Sequence, residues 1–308
     1  MYNLDLPRRQ LTAWLAAAII PTAIQLTSGA SWLSVLLTCV LSLLCVWLRW
    51  AFGAESTGKL GIILQWALLT AVLGTACQAS TQSWPRGAHP AVGIILLLLS
   101  LWSVWKGTSA SARVGCVLFW FVLLLYLVLL GAGVKDIRIE WLTPTKGDVN
   151  AFGCVLLLTP AAAAIHLNKK DGLKPRMLLI GVFCTVAAVV TAAVLSPEVA
   201  AGKDNAFYEM TRSLNLLGQA RRFEAVLSAG MTAGWFALLS LYLSLCAHLS
   251  EKMHAGFGKW GSAIAAFLAG TILLCDLHIP GAILLISSAV FWVLLPLLTQ
   301  VLGGEKKS

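Results

Sequence analysis

Charged side chains are scarce in this sequence of 308 residues. Asp, Glu, Lys and Arg together make up 11% of it, whereas an average soluble domain carries roughly 25%. Hydrophobic residues make up 59%, and the mean hydropathy is +0.85. This balance excludes an ordinary soluble domain and predicts an integral membrane protein surrounded by the lipid bilayer.

The charges that are present also avoid the apolar stretches. No Asp, Glu, Lys or Arg lies well inside a predicted membrane span, although such residues usually mark proton relays and ion paths. The sequence therefore disfavours a carboxylate-based proton pump. The net charge of +9 does not indicate a nucleic-acid partner, because the basic residues are scattered between apolar runs and form no continuous stripe.

Motifs for catalysis and for metal binding are also missing. The eight cysteines all lie in apolar runs and include no C-x-x-C pair, so we interpret them as small buried hydrophobes. We find no H-E-x-x-H, Walker A or G-x-S-x-G motif, and the loops are too short to hold a catalytic domain. We therefore expect no enzyme activity, no metal and no cofactor.

Apolar runs bounded by charges or turn residues predict about ten membrane-spanning helices in a single transmembrane domain, 1–308. The predicted spans are 10–28, 31–50, 60–79, 91–105, 113–134, 150–167, 177–196, 224–249, 260–276 and 280–302. With the N-terminus inside, fourteen of the 22 Lys and Arg residues lie on the cytoplasmic side, in agreement with the positive-inside rule. An even number of spans then places both termini of this multi-pass protein in the cytoplasm.

Two of the predicted spans contain a proline. Pro21 interrupts the apolar run 11–26, and Pro160 interrupts the run 152–167, with a loosely similar sequence around each. Proline removes a backbone donor and clashes with the preceding turn, so we expect each helix to kink or break there. Proline-interrupted segments at matching positions of two halves point to a transporter-type binding site. The alternative is a chance echo, since proline is common in membrane helices.

Uncharged polar residues lie near these prolines and at depth in other spans. A broken helix frees backbone groups, which can hold a carboxylate or a cation without charged side chains. We therefore predict a ligand site made of the two prolines, one glycine and the polar side chains that accompany them. Its members are Pro21, Thr22, Gln25, Gln65, Gly153, Thr159, Pro160 and Thr232. The alternative for each polar member taken singly is a hydrogen bond between helices.

The loop 197–223 is too long to be a simple turn. Phe207, Met210, Leu214 and Leu217 fall on one face of a helix, which predicts an amphipathic helix on the outer surface. This helix could serve as a cap that covers the bundle or as an outer gate.

Glycines predict close helix packing at three positions. Gly115 lies in the fifth span, and Gly230 and Gly234 form a G-x-x-x-G pair in the eighth. Such glycines let two helix backbones approach each other. The motif is common in membrane proteins and indicates packing rather than a particular function.

Three short stretches are similar to a known family. They are 29–37 (GASWLSVLL), 106–113 (KGTSASAR) and 217–225 (LGQARRFEA), and the last of these leads into the eighth span. Together they resemble the spore germination permease family, the B-type subunits of bacterial spore germinant receptors. That family belongs to the amino acid–polyamine–organocation superfamily.

The resemblance implies an all-α, LeuT-type fold of two inverted five-helix repeats, about 8–134 and 150–302, with discontinuous first and sixth helices. It implies a small nutrient ligand, such as an amino acid, between spans one, three, six and eight. The implied partners are an A-type membrane subunit and a C-type lipoprotein. The implied location is the bacterial cytoplasmic membrane or the spore inner membrane.

Three functions remain open at this point. The first is a receptor subunit that senses a small nutrient and signals to its partner subunits. The second is a working amino-acid permease of the same superfamily. The third is a degenerate scaffold whose pocket is filled by side chains. The first span lacks the glycine-rich unwound stretch typical of active permeases, which argues against a transport-competent pocket. We prefer the receptor subunit, mainly because of the family resemblance.

Overall fold

The computed structural model describes residues 6–27, 31–52, 58–82, 89–142, 149–164, 174–201, 203, 205–213 and 220–298. Helices form nearly all of this part of the chain, and no strand occurs in it. The helices are α1 (Arg8–Thr27), α2 (Trp32–Phe52), α3 (Lys59–Gln82), α4 (Pro90–Trp105), α5 (Thr108–Gly133), α6 (Ala151–Ala163), α7 (Lys174–Leu195), α8 (Pro197–Ala201), α9 (Ala206–Ser213), α10 (Ala220–Met253), α11 (Gly258–Leu274) and α12 (Gly281–Ala289). A π-helical turn, Val290–Leu294, continues α12, and two 3-10 turns, Val134–Asp136 and Ile139–Leu142, follow α5.

Within the described residues, six helices are long and apolar enough to cross a membrane: α2, α3, α5, α7, α10 and α12 with its continuation. Three shorter apolar helices, α4, α6 and α11, accompany them. The protein is therefore an all-α, multi-pass membrane protein, as its composition predicts. Every predicted span falls on one of these helices or on α1, but ten crossings remain a prediction. The two chain ends lie outside the described residues.

The first helix lies at the centre of the bundle. α1 packs against α5, α6, α7 and α10, and its side chains from Trp14 to Ile20 are all buried. A helix that is apolar on every side belongs in a core. The indole Nε1 of Trp14 donates a hydrogen bond to the carbonyl oxygen of Ala237 in α10, at 3.1 Å. The central helix is thus tied to a neighbour by a polar contact as well as by packing.

Both prolines lie inside uninterrupted helices. α1 continues through Pro21 to Thr27, and α6 continues through Pro160 to Ala163. The expectation of discontinuous first and sixth helices is therefore wrong for the described residues. Proline removes one hydrogen bond from the helix, and neighbouring helices in a membrane bundle can compensate for that loss.

At the first proline, a glycine on α10 allows a close helix contact. A Cβ atom at Gly234 would overlap the ring of Pro21 and lie 3.6 Å from the carbonyl oxygen of Ala17. That carbonyl is the one that a proline at position 21 leaves without its helical donor. The missing side chain at Gly234 therefore lets α10 pack directly on the irregular side of α1. The glycines at 115 and 230 are close-packed in the same way, against Trp14 and Leu125, which confirms the predicted packing role.

Several helix contacts occur in matching pairs when α1–α5 are compared in chain order with α6, α7, α10, α11 and α12. α1 packs against α5, and α6 packs against α12. α1 packs against α7, and α6 packs against α2; likewise α3 packs against α11, and α10 packs against α4. α2 also contacts α7, and α3 contacts α10.

The predicted amphipathic segment forms a cap on the bundle. Phe207 and Met210 of α9 are fully buried, and α9 contacts α1, α5, α7 and α10. The Phe207 ring stacks on Tyr126 of α5, with ring centres 5.1 Å apart. The buried apolar face is confirmed for these two residues, whereas Leu214 and Leu217 lie outside the described residues.

Candidate ligand site

Gln65 is the predicted site residue with the most informative surroundings. It lies on α3 and its side chain is fully buried. Its amide Nε2 donates a hydrogen bond to the carbonyl oxygen of Phe291, at 3.0 Å. Phe291 belongs to the π-helical turn that continues α12. A polar side chain of one helix is therefore paired with the backbone of another at a point where the second helix is irregular.

The irregularity of the π-helical turn follows from Pro296. In a regular helix the Phe291 carbonyl would accept from the N–H of Leu295, but that N–H donates to Val290 instead. In the π-helical register the donor to Phe291 would be residue 296, which is a proline and has no N–H. Neither backbone donor is available to this carbonyl. Gln65 supplies the donor from outside the helix.

The other atom of the same amide group has no such partner. The Oε1 of Gln65 is buried and accepts no hydrogen bond from the described residues. An unsatisfied buried acceptor costs on the order of 1–3 kcal/mol. The Oε1 of Gln65 therefore lacks a hydrogen-bond donor, and an N–H or O–H group of a ligand would relieve that cost.

A second polar contact joins α12 to α6. The hydroxyl oxygens of Thr159 and Ser288 lie 3.3 Å apart, and both side chains are fully buried. Ser288 precedes Phe291 by three residues, so the two contacts lie within about one turn of the helix. Gln65 and Thr159, two predicted site residues on different helices, thus converge on α12. We call Gln65, Thr159, Ser288 and the Phe291 carbonyl the π-turn cluster.

The π-turn cluster is polar but contains no charged side chain. Its groups are one amide, two hydroxyls and one backbone carbonyl, which suit hydrogen bonding to a small polar molecule. They offer neither a nucleophile with an adjacent base nor a group that titrates near neutral pH. Among the described residues, no three His, Cys, Asp or Glu side chains are grouped so that they could hold a metal ion.

The remaining predicted residues lie elsewhere or have local partners. Pro21 is buried against Gly234, and Pro160 is buried in α6 beside Thr159. A Cβ atom at Gly153 would overlap Leu26 of α1, so this glycine serves helix packing. The hydroxyl of Thr232 donates to the Ser228 carbonyl of its own helix, at 2.7 Å. The side chains of Thr22 and Gln25 lie outside the described residues.

Sequence reasoning missed the contribution of α12. Ser288, Phe291 and Pro296 were not among the predicted site residues. A signal was present, because Pro296 interrupts the last apolar run as Pro21 and Pro160 interrupt theirs. What the sequence does not reveal is which side chain of another helix completes the backbone hydrogen bonding at that proline.

Comparison with known proteins adds no assignment. No family model matches the sequence, and no curated protein matches it. The similarity to the spore germination permease family therefore depends on the three short stretches alone.

Proposed function

We propose that this protein is a membrane subunit that senses a small nutrient, such as an amino acid, and signals to partner subunits. The proposal takes the family resemblance as its starting point, with an A-type membrane subunit and a C-type lipoprotein as partners. It places the protein in the bacterial cytoplasmic membrane or the spore inner membrane. The observation that carries it is the unsatisfied buried acceptor of Gln65 beside the π-helical turn.

The ligand chemistry follows from the groups in the π-turn cluster. An amino group or a hydroxyl group of the nutrient would donate to the Oε1 of Gln65. The hydroxyls of Thr159 and Ser288 can each both donate and accept, so they can satisfy a second polar group of the nutrient. Neutral donors and acceptors of this kind suit an uncharged or zwitterionic molecule better than an ion, since no full charge faces it.

The signal would leave the site through α12. The Gln65 amide holds the Phe291 carbonyl, and π-helical turns inside α-helices are frequently found at functional sites. A ligand that engages this amide alters a side chain that supports the irregular turn. The C-terminal part of α12 would then shift relative to α3 and α6, and a partner subunit could detect that shift.

The repeated helix pairings support a LeuT-type arrangement with ten spans. When α1–α5 are compared in chain order with α6, α7, α10, α11 and α12, several helix contacts have counterparts. The pairs α1–α5 and α6–α12, and the pairs α1–α7 and α6–α2, are counterparts of this kind. The contacts α2–α7 and α3–α10 each join one helix to its own counterpart, as expected for helices that meet at a two-fold axis.

A second candidate function is a scaffold subunit that binds no nutrient. The packing of Gly234 on Pro21 favours it, because side chains and backbone fill the space beside the first proline. In that case the Gln65 amide would serve only to support the π-helical turn. A working permease is the third possibility, and uptake measurements separate it from the other two.

Ligand-induced stabilisation tests the proposal. The thermal unfolding of the purified protein would be followed by tryptophan fluorescence in the presence of each common amino acid. A ligand at a hundred times its Kd stabilises the folded state by about 2.7 kcal/mol, which is a readily measured increase in Tm. We expect at least one amino acid to give such an increase, and Gln65→Met to remove it.

Gln78→Met is the matched control. Gln78 lies on the same helix, and its Nε2 also faces backbone carbonyls, those of Ile272 and Leu277, at 3.3 Å each. This variant should keep the increase in Tm. Stabilisation that survives in Gln65→Met would place the ligand elsewhere, and no stabilisation by any nutrient would favour the scaffold.

A further inference from the structure

A narrow cleft lies between α2, α6 and α7. Its lining includes Cys39, Ser42 and Val46 of α2, Leu157 of α6, and Met177 and Gly181 of α7. A free cysteine packs as a small hydrophobe, and the Ser42 hydroxyl donates to the Thr38 carbonyl of its own helix, at 2.7 Å. The wall of the cleft is therefore apolar in character, and it suits a hydrocarbon chain.

The cleft lies beside the lipid-facing surface of the bundle. Leu44 and Trp47 are close to the lining residues of α2, and Leu178 and Val182 are close to those of α7. All four side chains are more than half exposed, and in a membrane protein such apolar side chains face the acyl chains of the bilayer. A lipid chain can therefore reach the cleft from the side.

The cleft extends from a close helix contact towards one end of the bundle. A Cβ atom at Gly181 would lie 2.9 Å from the Cδ1 of Leu43, so α2 and α7 touch at this level. Val46 follows Leu43 by three residues, and Met177 precedes Gly181 by four, yet both line the same cleft. The two helices are thus antiparallel here, and the cleft extends towards the end of α2 and the start of α7.

The charges at that end of the cleft are positive. Arg49 follows Val46 by three residues, which places it on the cleft face of α2, and its side chain is only 2% exposed. The helix α7 begins with Lys174, three residues before Met177, and contains Arg176. The helices α2, α6 and α7 contain no Asp or Glu. An anionic group at this end would therefore meet basic residues and no acidic residue of the three helices.

We propose that this cleft binds an anionic phospholipid, with one acyl chain between α2 and α7 and the phosphate group at Arg49. A guanidinium can pair with a phosphate through two parallel hydrogen bonds. Basic pockets between membrane helices on the cytoplasmic side bind anionic headgroups, and the positive-inside rule predicts that side for Arg49. The exposed ring of Trp47 suits the headgroup level of the bilayer. This site is separate from the π-turn cluster and does not depend on nutrient binding.

Native mass spectrometry tests the site directly. The full-length protein in detergent is mixed with equal amounts of phosphatidylglycerol and phosphatidylcholine that carry the same acyl chains, and the lipid retained by the intact protein is identified by mass. We expect a single phosphatidylglycerol to be retained in preference to phosphatidylcholine. Equal retention of the two lipids, or retention of neither, would overturn the proposal.

One pair of variants tests the position of the phosphate. Arg49→Gln should lower the preference for phosphatidylglycerol about fivefold, which is the typical contribution of one basic residue near an anionic membrane surface. Arg113→Gln is the matched control, since Arg113 is an exposed arginine of α5, and it should leave the preference unchanged. Equal losses in the two variants would mean that the lipid responds to overall charge, which would contradict a site at Arg49.

A second pair of variants tests the position of the acyl chain. Val46→Phe places a larger side chain in the cleft and should reduce the retention of phosphatidylglycerol. Val40→Phe adds the same ring on the lipid-facing side of α2, where Val40 is 45% exposed, and should not reduce it. Equal retention by these two variants would contradict a chain in the cleft. The wild-type preference is measured without any substitution, so a variant that fails to fold does not obscure the result.

Discussion

The amide nitrogen of Gln65 lies 3.0 Å from the carbonyl oxygen of Phe291, a carbonyl that lacks both its α-helical and its π-helical backbone donor. Pro296 removes one donor, and the π-helical register directs the N–H of Leu295 to Val290. A side chain near the start of the chain therefore completes the hydrogen bonding of a helix near its end. The predictions below test this relationship and the other contacts that hold the bundle together.

Gln65→Met leaves the part-buried Phe291 carbonyl without its side-chain donor, which costs about 1–3 kcal/mol. The same change removes the unsatisfied Oε1 of Gln65 and so offsets part of that cost; the variant should therefore be modestly less stable than the wild type. Pro296→Ala restores a backbone N–H and lets the last helix return to a regular register. In the Pro296→Ala background, Gln65→Met should lower the free energy of unfolding by clearly less than it does in the wild-type background. The wild type, the two single variants and the double variant are unfolded chemically in detergent. Their free energies of unfolding give the coupling energy between positions 65 and 296. Strictly additive effects would contradict the role that we assign to Gln65.

Gly234→Ala should destabilise the protein by about 1–3 kcal/mol, because the new methyl group would overlap the ring of Pro21. Gly131→Ala is the matched control. Gly131 lies in α5, and a Cβ atom there would meet no other atom within 4 Å, so the change should be neutral or slightly stabilising. Equal Tm values for the two variants would show that α10 does not pack on α1 at Pro21.

Trp14→Phe should lower stability by about 1 kcal/mol, because the Ala237 carbonyl loses its indole donor in a buried position. The control is Trp120→Phe, since Trp120 is 69% exposed and faces the lipid rather than the core. Thermal unfolding of both variants in one detergent gives the comparison. A larger loss for Trp120→Phe would contradict the central position of α1.

Phe207→Ala should loosen the cap helix α9, because it removes a buried ring that stacks on Tyr126. Loss of a buried phenylalanine typically costs about 3–5 kcal/mol, but α9 is short, so the opening should be largely local. Hydrogen exchange of the amides in α9 should therefore accelerate more than exchange in α4. Uniform acceleration across the protein would mean that α9 is part of the core rather than a cap.

Apolar sequence patterns locate the helices of this protein well. Each helix of the bundle has to match the lipid or the core, so its composition marks it along the chain. The buried face of α9 follows in the same way from the spacing of Phe207 and Met210. These features depend on residues that are close together in sequence.

The details of the candidate site depend on residues that are far apart in sequence. Pro21 lies inside a continuous helix, and Gly234 of another helix lies against the proline ring. Whether Gln65 faces a ligand or a backbone carbonyl depends on Pro296. A single sequence shows that each of these residues is unusual in its span, but it does not show which of them meet. For that reason the sequence alone predicts a kink or a break at Pro21 and Pro160 and does not reveal the contribution of α12.

The central claim is that this subunit binds a nutrient at the π-turn cluster and does not transport it. Solute counterflow tests it most directly, with labelled amino acids and proteoliposomes that hold the folded protein, over a range of ions. The account predicts saturable binding of the stabilising amino acid to wild-type protein, its loss in Gln65→Met, and no accumulation of label in the lumen. Saturable exchange into the lumen would contradict the account and identify a working permease.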